Sequence, residues 1–332
     1  MKNILSKTVI ILLTLLIFSS CEKDKVQVLP DAYALTETSL YPESFVYDQQ
    51  SEKIFVGAYF KGKIITLDLQ GNTNDFIIDA DLVAVVGMAI DEKNNRLLVC
   101  NSDAGISQRS GNTTIGQLAE VIAYDLTTGA KLKTIDLGTL YPGGHFLNDL
   151  VLDADGNIYV TDSFSPVVYK IDGNDTPSVL VSDSKFEVPQ GTFGLNGIIY
   201  HPDNYLIVGR SFGGVLYKIP LSNPTDVQEI SLDKSVNSLD GLLLLNNNTL
   251  GLVSNYFAGP SFEEAIYKIE TSNDWTSGNV TSSYTDLDGK YPTSLEMINN
   301  GLFVNFGYFP ELVDPNSAPN NNFKLQKIKF LD

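Results

Sequence analysis

The sequence predicts an all-β protein, a six-bladed β-propeller with four-stranded blades whose ring is closed by an N-terminal strand. A unit of two apolar strands joined by an Asp/Asn/Gly turn, often followed by a Tyr-Lys-Ile-like third strand, recurs six times, with openings 44 to 61 residues apart. Such a period is typical of propeller blades. Hardly any stretch after the first twenty residues shows a sustained helical period. A β-sandwich is the alternative, but six similar units without a break favour a closed ring.

Each repeat contains the turn residues that tight hairpins need, as in DADGN, HPDN and INNG. The repeats open at Tyr41, Val86, Leu147, Leu195, Leu239 and Pro292. The sixth repeat reaches Asp332 after three strands, whereas residues 32–40 form a strand-like segment outside the repeats. We expect this segment to supply the missing outermost strand and to cover an open sheet edge.

Long insertions fall at one place in the repeat, between the second and third strands, at 101–118, 256–264 and 306–322. In a propeller this connection lies on the face where each first strand begins. The insertions are therefore predicted to wall one mouth of the central channel, as in a scaffold with a binding site at one end. Their aromatic residues either line a pocket or shield strand edges: Tyr256, Phe257, Phe306, Tyr308 and Phe309.

The N-terminal residues predict that the protein is exported from the cytoplasm. Lys2 and Lys7 flank an apolar run at 9–18, which is typical of a signal peptide, here residues 1–20. The segment IFSSC resembles a bacterial lipobox and implies a diacylated Cys21, a lipidated tether at 21–30 and a propeller domain at 31–332. A free or disulfide-bonded Cys21 is the alternative. The expected location is the bacterial cell envelope, lipid-anchored at the outer membrane and facing the periplasm or the exterior.

Composition restricts the partners. The chain has 40 Asp and Glu against 22 Lys and Arg, a net charge of −18, so it is expected to repel nucleic acid and to touch a membrane only through its lipid anchor. The acidity serves solubility or favours cations. Cys100, the second cysteine, lies in the apolar pattern RLLVCNS and is expected to be a buried free thiol. We expect a monomer that binds a small-molecule substrate or ligand.

Four of the six first strands begin with an oxygen-donor side chain. The aligned starts are Glu43, Gly87, Asn148, Asn196, Asp240 and Ser294. Such starts converge on the channel axis, where two carboxylates and two carboxamides are costly to bury unpaired. A divalent cation removes this cost, and hard oxygen ligands suit Ca²⁺, Mg²⁺ or Mn²⁺ better than zinc. Ca²⁺ is the expected cofactor, with Mg²⁺, Mn²⁺ and Zn²⁺ kept as alternatives.

The openings PESFVYD, LNDLVLDADGNIYVTDS, LNGIIYHPDNYLIV and SLDGLLLLNNNTLGLV resemble the six-bladed regucalcin/gluconolactonase family, related to paraoxonases. The resemblance extends over nearly the whole chain after residue 30. It implies that Glu43, Asn148, Asn196 and Asp240 are the metal ligands and that Asp240 also acts as general base. It also implies hydrolysis of lactones or related esters.

Departures from the family pattern leave alternatives open. Ser44-Phe45 follows Glu43 where the family has Gly-Pro, and Phe146 stands where sugar-lactone hydrolases place an arginine, which argues against a polar sugar-acid substrate. The competing hypothesis is a lipid-anchored propeller that only binds a ligand or protein, with the cation as a structural element. A lyase or a condensing enzyme on the same scaffold is a third.

Three further residues have two interpretations each. His145 precedes Asn148 on the mouth side, so it is a candidate for polarising a substrate or moving a proton, or else an ordinary loop histidine. Arg210 follows a second strand and either holds an anionic group or forms a salt bridge. His201, in a turn on the opposite face, is expected to be structural.

Overall fold

The structure, a computed structural model, describes residues 28–255, 264–287 and 289–330. The predicted signal peptide, Cys21 and most of the tether lie outside the described residues, as do Tyr256 and Phe257. No helix within the described residues is long and apolar enough to cross a bilayer.

The described chain is almost entirely β-structure, as predicted. A short strand, β1 (Ala32–Leu35), comes before six antiparallel meanders. The first three meanders are β2 (Pro42–Asp48), β3 (Lys53–Ala58), β4 (Lys63–Asp68) and β5 (Thr73–Ile77); β6 (Val85–Asp91), β7 (Arg96–Ser102), β8 (Ala119–Asp125) and β9 (Lys131–Asp136); and β10 (Leu147–Leu152), β11 (Ile158–Asp162), β12 (Val167–Ile171) and β13 (Pro177–Ser182).

The last three meanders are β14 (Leu195–His201), β15 (Tyr205–Arg210), β16 (Val215–Pro220) and β17 (Gln228–Leu232); β18 (Leu239–Asn246), β19 (Thr249–Ser254), β20 (Ala265–Glu270) and β21 (Ser277–Tyr284); and β22 (Pro292–Ile298), β23 (Gly301–Phe306) and β24 (Phe323–Ile328). Across 28–255, 264–287 and 289–330 the helical elements are two 3₁₀ turns, Glu92–Asn94 and Ser184–Phe186, and one five-residue helix, α1 (Phe309–Val313).

The meanders form a closed ring. The innermost strands β2, β6, β10, β14, β18 and β22 each contact the next in this order, and β22 also contacts β2. The N-terminal strand completes the last sheet, because β1 pairs antiparallel with β24 from Ala32 opposite Gln326 to Leu35 opposite Phe323. Only four of the nine residues predicted for this strand are extended in this way. The fold is thus an all-β propeller with its N-terminal strand in the last sheet.

The sheets differ in one respect from the six separate blades predicted. Four are four-stranded, but the fourth and fifth meanders merge into one eight-stranded sheet through parallel pairing of β17 and β21. Ser231 pairs with Ser277, and Leu232 with Gly278. A Cβ atom at Gly278 would lie 2.7 Å from Ile269 Cγ2 and 3.2 Å from Leu232 Cδ2. Glycine at this position therefore permits the close approach of the two outer strands.

Candidate functional site

A β-bulge at the start of each innermost strand turns one side chain toward the channel. Every innermost strand has a one-residue register shift at its start, between Pro42 and Ser44 in β2 and at the equivalent place in the other five. Such a bulge bends the strand and turns a side chain away from the regular alternation. Asn148, Asn196 and Asp240 each follow the first paired residue of their strand, as Glu43 does. The register places Val86 and Thr293 at the equivalent positions, which corrects the alignment with Gly87 and Ser294.

The four predicted oxygen donors line one cavity of about 800 Å³. Its walls come from several connections: Ala104 and Ile106 from the second meander, Phe309 and Val313 from the last, and residues 191–193 before β14. The insertions at 101–118 and 306–322 therefore wall this mouth as predicted, whereas most of 256–264 is outside the described residues. The segment before β14 was missed because it follows a fourth strand rather than a second.

The carboxylates of the site lie in an unfavourable electrostatic environment. Burial, together with the negative charges of Asp240 and Asp149, raises the pKa of Glu43 well above its ordinary value. Burial raises the pKa of Asp240 to about 7, although hydrogen bonds from Asn255 and Asn196 oppose this shift. Glu43 retains some exposed surface on the channel, yet its Oε2 atom is buried and has no hydrogen-bond partner within the described residues.

The carboxamides are held so that their oxygens remain available. Asn148 Nδ2 donates to Ser163 Oγ at 3.0 Å, and the Asn196 side chain bonds to Asp240. Asn255, which also lines the cavity, donates through Nδ2 to Asp240 Oδ2 and to Pro292 O. The amide nitrogens are thus occupied by protein acceptors, which leaves the Oδ1 atoms for a ligand. Asn255 was missed because it lies at the end of a second strand.

Asp149 is a further carboxylate that the alignment of strand starts did not select. It follows Asn148 and accepts hydrogen bonds from Leu150 N at 2.8 Å and Ile198 N at 3.3 Å, so it ties the third meander to the fourth. Burial raises its pKa to about 7. The dipeptide Asn148-Asp149 is visible in the sequence as two adjacent polar residues at a strand start. Only the bulge in the structure shows that both lie near Glu43 and Asp240.

The donor set fits a hard divalent cation. Within the described residues no three His, Cys, Asp or Glu side chains form a metal-binding group. The predicted set, however, consists of two carboxylates and two carboxamides, the oxygen ligands that Ca²⁺ accepts. The unpartnered Glu43 Oε2 and the raised pKa values of Glu43 and Asp240 are expected of a site in which positive charge compensates buried carboxylates.

His145 is buried away from the cavity lining. It is 2% exposed, and its Nδ1 lies 2.8 Å from Asp162 Oδ2. Asp162 raises the pKa of His145 and also accepts hydrogen bonds from Phe146 N at 2.9 Å and Phe164 N at 3.0 Å. The geometry favours the loop-histidine interpretation, in which the pair organises the loop before β10.

The remaining singled-out residues are structural. His201 is buried, stacks on Tyr205 with centroids 4.3 Å apart, and contacts Asn247 O through Nε2 at 2.9 Å. Arg210 donates to the backbone carbonyls of Phe212 and Lys185 instead of holding a carboxylate. Cys100 is a buried free thiol, as predicted.

Of the aromatic residues predicted for the mouth insertions, only one that the structure describes lines the cavity. That residue is Phe309. Phe306 and Tyr308 are buried, and Tyr308 packs edge-on against Phe323 with centroids 5.2 Å apart.

No family model matches the sequence, and no curated protein matches it. Several solved structures share the fold. The Mala s 1 allergen of Malassezia sympodialis is 17% identical with a TM-score of 0.70, and the match covers 91% of this chain and 97% of that one. A gluconolactonase of Xanthomonas campestris is 14% identical with a TM-score of 0.57 (90% and 91% covered). Regucalcin of Agrobacterium tumefaciens, described as calcium-binding, is 15% identical with a TM-score of 0.57 (91% and 96% covered).

These likenesses are too distant to show more than the fold. At that level they confirm the resemblance to gluconolactonases and regucalcin that the strand openings predicted.

Proposed function

We propose that this protein is a divalent-metal-dependent hydrolase of lactones or related esters, with its site at the mouth of the propeller channel. One observation carries the proposal: Glu43, Asn148, Asn196 and Asp240, from four different meanders, line one cavity, and Glu43 Oε2 is buried there with no hydrogen-bond partner in the part of the chain that the structure describes. The structural likeness to a gluconolactonase and to a calcium-binding regucalcin supports it at the level of the fold.

The four side chains would hold the cation through oxygen, and Ca²⁺ is the proposed ion. When bound, a divalent cation supplies Lewis acidity toward a substrate carbonyl and stabilises negative charge on its oxygen. Asp240, a buried carboxylate that lines the cavity, is the proposed general base, the role that the resemblance to the gluconolactonase family implies for it. Asn255, which donates to Asp240 Oδ2, fixes the orientation of that carboxylate.

The proposal is tested on the purified full-length chain. Thermal melting is measured with Ca²⁺ and with a chelator, and hydrolysis is measured on a panel of lactones and aryl esters. Asp240→Asn and Asn196→Ala are expected to abolish turnover, whereas Asp203→Asn, on the exposed turn after β14, is expected to leave it unchanged.

Two outcomes would contradict parts of the proposal. If chelation changes neither melting nor activity, the metal site is wrong. If Ca²⁺ raises the melting temperature but no substrate is hydrolysed, the result supports the alternative of a non-catalytic propeller that binds a ligand or protein with a structural cation.

Three further proposals concern organisation. We propose that the halves of the eight-stranded sheet act as two blades, making six, and that the chain works as a monomer. We also propose that Cys21 carries the lipid that anchors the protein at the outer membrane of a bacterial envelope.

A further inference from the structure

We propose that the substrate is an uncharged lactone or ester with a hydrophobic group, and that this group packs on Phe146 and Phe193, the two cavity-lining members of an aromatic cluster that Phe164 completes. The inference rests on the proposed function, because the hydrophobic group is taken to belong to the molecule that is hydrolysed.

The cavity is divided by polarity. Its carboxylate donors, Glu43 and Asp240, come from the starts of the innermost strands. Its apolar lining comes from connections around the mouth: Ala104, Ile106, Phe146, Phe193, Phe212, Phe309 and Val313; the uncharged polar residues Thr192, Ser211, Asn237 and Ser238 line the cavity between them. A volume of about 800 Å³ is within the range that encloses a small organic ligand. A molecule with a polar carbonyl at one end and an apolar group at the other matches this division.

The three rings of the aromatic cluster pack against one another. The ring centroid of Phe146 lies 5.4 Å from that of Phe164 and 5.6 Å from that of Phe193, and the last two are 5.4 Å apart. Asp162 holds the backbone N–H groups of Phe146 and Phe164, and the buried His145 holds Asp162 in turn. The backbone of Phe146 and Phe164 is therefore held in place before any ligand binds.

Phe146 is 3% exposed and offers little surface to a ligand, but the phenylalanines beside it are accessible. Phe164 is 37% exposed, Phe193 42% and Phe212 46%, and Phe212 N donates to Phe193 O, which links the two segments. Large apolar side chains exposed side by side at a cavity are typical of a binding surface rather than of scattered surface residues. Burial of their surface against a ligand would provide hydrophobic binding energy.

The cavity lining is poorly suited to anionic substrates. None of the described residues that line the cavity is Lys, Arg or His, and Arg210, which lies nearby, donates to backbone carbonyls instead. Glu43, Asp240 and the adjacent Asp149 are acidic. A carboxylate or phosphate on the substrate would therefore have no cationic side chain of the described lining to pair with. The site favours neutral molecules over anionic sugar acids.

The test compares γ-lactones that differ only in alkyl chain length, from γ-butyrolactone to its hexyl-substituted homologue, with glucono-δ-lactone as the polar reference. We expect kcat/KM to rise by about three- to fourfold for each added methylene that is buried. Phe193→Ala is expected to lower kcat/KM for the hexyl lactone by about tenfold while changing it less than about twofold for γ-butyrolactone. Leu132→Ala, an exposed leucine on β9, is the matched control and should change neither value.

A binding measurement separates this inference from the proposed function. A non-hydrolysable γ-lactam with the same hexyl chain is titrated calorimetrically into the wild type and Phe193→Ala, with Ca²⁺ present. If no lactone is hydrolysed but the lactam binds and Phe193→Ala weakens it about tenfold, the hydrophobic recognition holds and the hydrolase proposal fails. If lactones are hydrolysed with kcat/KM independent of chain length, or best for glucono-δ-lactone, the inference is wrong and the hydrolase proposal stands.

Discussion

Gly197 offers the sharpest test of how the ring holds its site together. It follows Asn196 in the bulge of β14, and a Cβ atom added there would lie 2.8 Å from Leu242 N and closer still to Asp240 O. Both atoms belong to the backbone of β18, so no side-chain rotation can relieve the overlap. Gly197→Ala must therefore push the fourth and fifth meanders apart where Asn196 and Asp240 face the cavity.

The loss of stability in Gly197→Ala follows from this geometry. Over-packing a closely packed region typically lowers the free energy of unfolding by about 1–3 kcal/mol, and each kcal/mol lowers Tm by about 1–2 °C in a chain of this length, because the entropy of unfolding grows with the number of residues. Gly173→Ala is the matched control, because a Cβ atom there meets no heavy atom within 4 Å. Urea unfolding followed by circular dichroism measures both variants. If Gly197→Ala unfolds at the same urea concentration as Gly173→Ala, the two strands are not in close backbone contact and the reasoning fails.

Three further predictions concern charge and anchoring. In chelator at pH above the raised pKa of Glu43, its ionised carboxylate destabilises the fold; this effect shrinks as the pH falls below that pKa and is gone below the ordinary glutamate pKa of about 4.3. Glu43→Gln should melt higher than the wild type above the raised pKa yet lose the Ca²⁺-induced rise, and an equal rise in both proteins would refute the role of Glu43 as ligand. The pKa of His145 is raised by Asp162, so the pair stabilises the fold below the ordinary histidine pKa of about 6.5 and loses this stabilisation as the pH rises through the raised value; His145→Gln should flatten that decline in melting scans. Cys21→Ser should move the protein from the membrane fraction to the soluble fraction, and unchanged partition, or a wild type without a lipid mass by mass spectrometry, would refute lipid attachment.

The repeat pattern was enough to predict the architecture, because apolar alternation and turn residues are local signals. It also led to the prediction that a segment before Tyr41 enters the last sheet, since an incomplete unit at one end implies a partner at the other. The parallel contact between β17 and β21 had no such signal. It depends on Gly278, whose lack of a side chain matters only once Leu232 and Ile269 are adjacent in space.

The residues of the site were predictable to differing degrees. Glu43, Asn148, Asn196 and Asp240 could be selected because a polar residue at the start of an apolar strand is conspicuous. Asn255 and Asp149 could not, because Asn and Asp at strand ends and turns are common. His145 was ambiguous in the sequence, and its burial against Asp162 favours a positioning role.

The sequence alone determined the class of fold, the N-terminal strand that completes the last sheet and the four oxygen donors at the strand starts. Each of these depends on the order of residues along single strands. The tertiary structure decided what surrounds those donors. Whether Asn196-Gly197 is a turn or part of a site depends on a bulge and on the backbone of β18, which lies more than forty residues away. Burial of the carboxylates and the mutual packing of Phe146, Phe164 and Phe193 beside the cavity are properties of packing between meanders, and no local pattern specifies them.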